Sequence, residues 1–133
     1  MSEENMEIVR RSIDALNRGD LDEALADYAP EAEWHTTGRF ADRRVYRGRA
    51  GIGRLWAELQ EDIEELSLSV SDIRAVGEDT VFVAAVGAGR GKRSKARAEE
   101  PIWFVDTFRD RLIVRVESYA DSAQALEAAG LRE

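Results

Sequence analysis

Cysteine is absent from all 133 residues, which excludes disulfides, thiolate nucleophiles and cysteine-based zinc sites. Histidine occurs once, as His35, so no paired-histidine metal motif exists and no second imidazole is available for acid–base work. Proline occurs only twice, and no apolar run approaches the 18 residues of a membrane-spanning helix. Basic residues are the scarcer charge, 19 against 27 acidic ones, leaving a net charge of −8. That balance argues against a dedicated nucleic-acid binder, which needs a basic excess or stripe. The N-terminus, MSEENMEIVRR, is acidic and polar and carries no export-signal pattern, so a soluble, cytoplasmic protein is expected.

What is present is a single domain's worth of chain with 44% apolar residues, enough to bury a core. Met6, Val9, Ile13 and Leu16 recur at helical spacing and predict a helix over 5–18, with Asn5 as N-cap and residues 1–4 disordered. Gly19 closes it. Asp20 caps a second short helix, with Glu23 three residues on, and Leu21, Ala24, Leu25 and Tyr28 share its apolar face before Pro30 stops it. A brief strand is expected at 32–37 and a polar loop at 38–48. Ile52, Leu55, Trp56, Leu59 and Ile63 then mark the third helix.

After residue 65 the apolar period changes from about 3.6 to 2. Leu66, Leu68 and Val70 alternate with serines, and further strands are expected at 80–88, 98–108 and 112–120. A basic connection spans 89–97, and Asp121 and Ser122 start a last helix through Ala129. Late strands at short spacing imply an antiparallel meander, hence an α+β class: a curved, cone-shaped antiparallel sheet wrapped on three N-terminal helices, with a short C-terminal helix.

Several constellations bear on chemistry. Tyr28, Trp34 and Trp56 form either a pocket wall or ordinary core packing. If Trp34 points inward, strand alternation turns His35 outward. In EEPIWFVDTF, the alternation puts Glu100, Phe104, Asp106 and Phe108 on one face. A carboxyl beside Phe104 and Phe108 would be desolvated and its pKa raised toward useful acid–base values. Alternatively, Asp106 is paired or wet near the strand end. No carboxylate spacing points to a metal or cofactor. Residues 58–65 hold five acids and no base, whereas 90–97 hold five bases and no acid. The two runs are candidates to pair, within the chain or across a dimer, or else are separately solvated. GAGRGK (87–92) lacks the spacing of a phosphate loop and is a turn.

The segments ALNRGDLDEALADYAPEAEWHT, YRGRAGIGRLWAEL and FRDRLIVRVESYADSAQALEAAGL resemble SnoaL-like proteins of the nuclear transport factor 2 and ketosteroid isomerase superfamily, over residues 5–131. The resemblance implies one domain over 1–133, a homodimer through the outer sheet face and a deep apolar pocket. It implies that Tyr28, Trp34 and Trp56 line that pocket. Thr36 matches the position of the isomerases' general-base Asp, Ser12 that of their oxyanion-hole Tyr, and Phe104 that of its companion Asp. Ser118 matches a catalytic Asp of the cyclases and epoxide hydrolases, and Ala85 and Gly87 lie about where the hydrolases keep Arg and Asp. All these acid–base groups are missing here. What remains is a ligand-binding set of Tyr28, Trp34, Thr36, Trp56, Phe104 and Ser118, with Asp106 and Glu100 as candidate catalytic carboxyls. Three functions follow: a binder of a small, largely apolar or aromatic molecule, an isomerase-, polyketide-cyclase- or dehydratase-type enzyme using Asp106 or Glu100, or a dimerisation module whose cone is plugged by its own side chains.

Overall fold

The helical spacing of Met6, Val9, Ile13 and Leu16 builds the apolar face of α1 (Ser2–Asn17). The computed structural model describes residues 2–36 and 44–131. α1 starts at Ser2, not Asn5, so residues 2–4 are helical rather than disordered as expected. Glu3 and Glu4 fill the first turn, where the helix dipole favours negative charge. Asn5 is a buried interior residue whose Nδ2 donates to the Glu78 carbonyl (2.9 Å), pinning α1 to a distant turn.

Asp20 caps α2 (Leu21–Ala24) as expected, its Oδ1 accepting from Glu23 N at 3.1 Å. The helix lasts only one turn, and Tyr28 opens β1 (Tyr28–Thr36) instead of extending the helix. Burial overrides the helical spacing here: Tyr28 and Ala29 are both buried, and Asp27 O accepts from Ile113 N across the core. Pro30 therefore lies inside a strand, in a stretch where the pairing register shifts, so its missing N–H interrupts no regular ladder. Thr37 and residues 38–43 of the expected loop lie outside the described residues. The end of that loop is in fact a strand, β2 (Arg44–Arg47), paired antiparallel with β1 through Trp34↔Tyr46 and His35↔Val45.

α3 (Gly48–Asp62) buries Ile52, Leu55 and Trp56. Gly48 has φ +72°, and a Cβ there would lie 3.3 Å from the Pro30 carbonyl, so glycine permits both the turn and the approach. Ile63, expected on the helix face, is the extended C-cap and first residue of β3 (Ile63–Val76). The meander follows with β4 (Thr80–Gly91), β5 (Arg97–Arg109) and β6 (Leu112–Tyr119), then α4 (Ser122–Ala129) with its expected Asp121 cap and Gly130 in the left-handed region.

The six strands form one sheet in the order β2-β1-β6-β5-β4-β3. It is not wholly antiparallel: β6 runs parallel to β1, because the meander returns to β1 after the α3 crossover. Two register shifts and Glu65 at φ 55° bend β3. β3 closes tightly over β4, where a Cβ on Gly89 would collide with Ile63 Cγ2. The main core fills the concave face; a smaller one, with Phe82, Val105, Ala125 and Ala129, lies under α4 on the outer face.

The acidic and basic runs meet within the chain. Lys95 Nζ lies 3.2 Å from Glu64 Oε1 and Arg97 NH1 lies 3.4 Å from Glu65 Oε2. Both pairs are exposed, so each contributes at most about 1 kcal/mol.

Asn17 fastens α1 to the free edge of β3: its Nδ2 donates to Leu68 O and its Oδ1 accepts from Leu68 N, both at 2.8 Å. Asn17→Ala should therefore lower stability by about 1–3 kcal/mol in urea unfolding. A loss under about 0.5 kcal/mol would show that the clamp is dispensable.

Candidate functional site

Strand alternation puts Phe104, Asp106 and Phe108 on the concave face and Val105 on the outer one, as expected from the sequence. The registers Trp34↔Val116, Val116↔Asp106 and Asp106↔Val81 lay a continuous row across β1, β6, β5 and β4. Val81 and Val116 are fully buried, so Asp106 has apolar neighbours on both flanking strands. α1 covers this floor with Val9, Ser12, Ile13 and Leu16.

Asp106 is 5% exposed, and its Oδ1 reaches no hydrogen-bond partner. Burial alone pushes its pKa from 3.8 to about 7, since nothing nearby offsets the loss of water. At about 1.4 kcal/mol per pH unit, the ionised carboxyl is disfavoured by roughly 4 kcal/mol. Between these two values the folded chain holds a proton that the unfolded chain has released. Stability contributed by this group is thus complete below about pH 4 and is lost as pH rises towards 7.

Tyr28, delivered by β1, is buried beside the carboxyl. Burial raises its pKa most and the charge of Asp106 adds to this, while the Ser12 hydroxyl opposes them. Its phenol is therefore held protonated, as a hydrogen-bond donor. Ser12 is itself anchored, donating to Ala24 O at 2.7 Å. Arg49 of α3 holds the backbone of Tyr28 through two bonds to its carbonyl, at 2.9 and 2.6 Å.

Around these groups stands an aromatic wall. Trp34 meets Trp56 edge-on (5.6 Å, 88°) and Phe104 likewise (5.7 Å, 76°). An inner hollow of about 20 Å³ is bounded by Ser12, Tyr28, Trp34, Val83, Phe104 and Asp106. An outer hollow of about 50 Å³ opens between the end of α1, α3 and β3, beside Asn17, Leu21, Trp56 and Leu66. Leu16 and Leu68 line both. The inner one has room for water but not for an organic ligand. The deep pocket implied by the resemblance is thus largely filled by the chain's own side chains, and a larger occupant requires those two leucines to move.

The expected site residues divide accordingly. Tyr28, Trp34, Phe104 and Asp106 converge on the inner hollow, and Trp56 lies on the outer one. Glu100 shares the face of Asp106 but is half-buried and six residues along the strand, about 20 Å away at the usual rise. It lines neither hollow. Thr36 uses its hydroxyl in the β1–β2 hairpin, accepting from Arg44 N at 3.0 Å and facing Arg44 O at 3.4 Å. Ser118 is buried opposite Phe104, with its Oγ 3.5 Å from the His35 carbonyl. His35 is turned from the core, its Nε2 donating to Glu33 Oε1 at 2.9 Å. Missing from the expected set were Ser12, Leu16 and Leu68. Their signal lies in the same periodicities: Ser12 is one helical step from Val9 and Leu16, and Leu68 alternates with serines.

Among the described residues, no three His, Cys, Asp or Glu side chains are grouped to hold a metal, and no helix is long and apolar enough to cross a membrane.

Residues 9–116 match the model of the SnoaL-like domain. No curated protein matches the chain. Among solved structures, it is similar to an NTF2-like protein of unknown function from Burkholderia pseudomallei (21% identity over 93% of this chain and 95% of that one, TM-score 0.79). It is also similar to an NTF2-like protein from Burkholderia xenovorans (28%, 97% and 97%, TM-score 0.74). A third is a hypothetical protein with a ketosteroid isomerase-like fold from Catenulispora acidiphila, in complex with trimethylamine (21%, 95% and 94%, TM-score 0.76). With the family model covering most of its length and the fold shared throughout, the chain belongs to the SnoaL-like domain family.

Proposed function

We propose that the protein binds a small, largely apolar molecule carrying a carbonyl or hydroxyl oxygen on its concave face, and that Asp106 moves a proton on it. The observation that carries this reading is a carboxyl buried to 5% exposure, with Oδ1 unpartnered, on a hollow whose other polar groups are the hydroxyls of Ser12 and Tyr28. An apolar side chain of similar size would stabilise the fold better there, so a return other than stability is needed. A pKa of about 7 is near the optimum for a group that must both take and give a proton at neutral pH.

The chemistry is of isomerase, cyclase or dehydratase type. Ionised Asp106 accepts a proton from the carbon beside a carbonyl, and the electron pair of the broken C–H bond moves onto the carbonyl oxygen. The phenol of Tyr28 hydrogen-bonds that oxygen as charge develops on it. The neutral acid then returns the proton to carbon or oxygen. Glu100 takes no part in this scheme.

Exchange of the methyl protons of acetophenone in deuterated buffer, followed by proton NMR, tests the reading. The wild-type protein should accelerate exchange, with the rate rising as pH passes about 7. Asp106→Asn should lower the rate by about 10²-fold or more. Exchange unchanged in Asp106→Asn would remove the carboxyl from the mechanism and leave binding alone.

The outer-face homodimer is part of the same proposal. α4 covers the outer side of β4, β5 and the end of β6 at Tyr119, which leaves the side of β1 and β2, where Val45 is 40% exposed, for a second copy. Sedimentation equilibrium should give twice the 14.9 kDa chain mass, and the chain mass alone at every concentration would refute it.

A further inference from the structure

The inner hollow is not the only place with an unanswered polar group. Trp56 lines the outer hollow, is 7% exposed, and has an indole Nε1–H that is buried without an acceptor. A buried N–H left without a partner is destabilising unless some state of the protein supplies one. Trp56 lines one of two neighbouring hollows and Asp106 the other, and each has a buried polar atom that lacks a partner. Among the described residues, Leu16 and Leu68 are the ones common to both walls. Neither Leu16 nor Leu68 is β-branched, so each has alternative staggered rotamers to adopt. The Asn17 clamp fixes the Leu68 backbone, so any rearrangement there is of the side chain alone.

We infer that the two hollows are halves of one elongated binding site, joined when Leu16 and Leu68 swing aside, with Trp56 Nε1 as a second anchor. The ligand class follows from the two ends. It is a flat, apolar molecule with a hydrogen-bond acceptor, a carbonyl or ether oxygen, for the indole. At the far end it carries a hydroxyl or enolisable oxygen function for Asp106. The edge-to-face contact of Trp34 with Trp56 supplies a continuous aromatic wall between the two anchors. This inference deepens the acid–base reading above and shares its pocket, but it rests on a different residue.

Two nearly isosteric probes test it, 4′-hydroxyacetophenone and 4-ethylphenol. Both offer a phenol to Asp106, and only the first offers an acceptor to Trp56. The full-length protein should bind the ketone about five- to tenfold more tightly, the range of one neutral hydrogen bond. The Trp56 indole N–H resonance, assigned by through-bond NMR, should move downfield with the ketone and not with 4-ethylphenol. In Trp56→Phe the preference should vanish while both probes still bind. Equal binding by the wild-type protein, an unmoved indole resonance, a preference that survives Trp56→Phe, or no binding of either probe would each overturn the inference. The indole resonance needs no variant, so the test survives if Trp56→Phe does not fold. Loss of the Asp106 effect on exchange with the Trp56 effect intact would sink the acid–base reading and leave the two-anchor site standing. The reverse result would do the opposite.

Discussion

Packing of α1 into the hollow of the curved sheet is the contact from which the rest of this structure follows. Val9, Ile13 and Leu16 close over a floor made by Val83, Phe104 and their neighbours, and in doing so they take Asp106 out of water. Removing apolar surface from water drives that closure at about 25 cal/mol per Å², and the desolvated carboxyl works against it. The roughly 4 kcal/mol by which ionised Asp106 is disfavoured is small against a whole core, but comparable with the net stability of a small domain. The fold tolerates the group; it does not need it.

The same closure explains why the cone is nearly full. With so few aromatics in the chain, the wall between helices and sheet is concentrated in Trp34, Trp56 and Phe104, interlocked edge to face. Leu16 and Leu68 fill what those rings leave. A site built this way is largely shielded from solvent, which strengthens any hydrogen bond made inside it and raises the pKa of a buried acid. The polar groups that line the inner hollow are few: the Ser12 hydroxyl, the Tyr28 phenol and the Asp106 carboxyl.

Much of this was legible in the sequence wherever periodicity was local. α1, α3, the Asp20 and Asp121 caps and the serine-alternating strand follow from spacing alone, as does the shared face of Phe104, Asp106 and Phe108. The failures are non-local. Tyr28 fits a helical face with Leu21, Ala24 and Leu25, yet burial against β6 draws it into β1, from which it reaches the pocket. β2 is four residues long with arginines at both ends, and only its partner β1 makes it a strand. The parallel β1–β6 pair joins segments about 80 residues apart, beyond any local signal. For the site, alternation found Asp106 but equally nominated Glu100, because a face says nothing about distance along it. Whether Asp106 would be paired or orphaned depended on which side chains stand across the row, and those are two buried valines from other strands.

The carboxyl on the concave floor is buried, with Oδ1 unpartnered, and its pKa is raised to about 7. Carbon-13 NMR of the Asp106 side-chain carboxyl, followed from pH 3 to 9 in the folded protein, measures this directly. A single titration centred at about 7 is expected, the step vanishing in Asp106→Asn. A midpoint in the ordinary range, near 4, would contradict it.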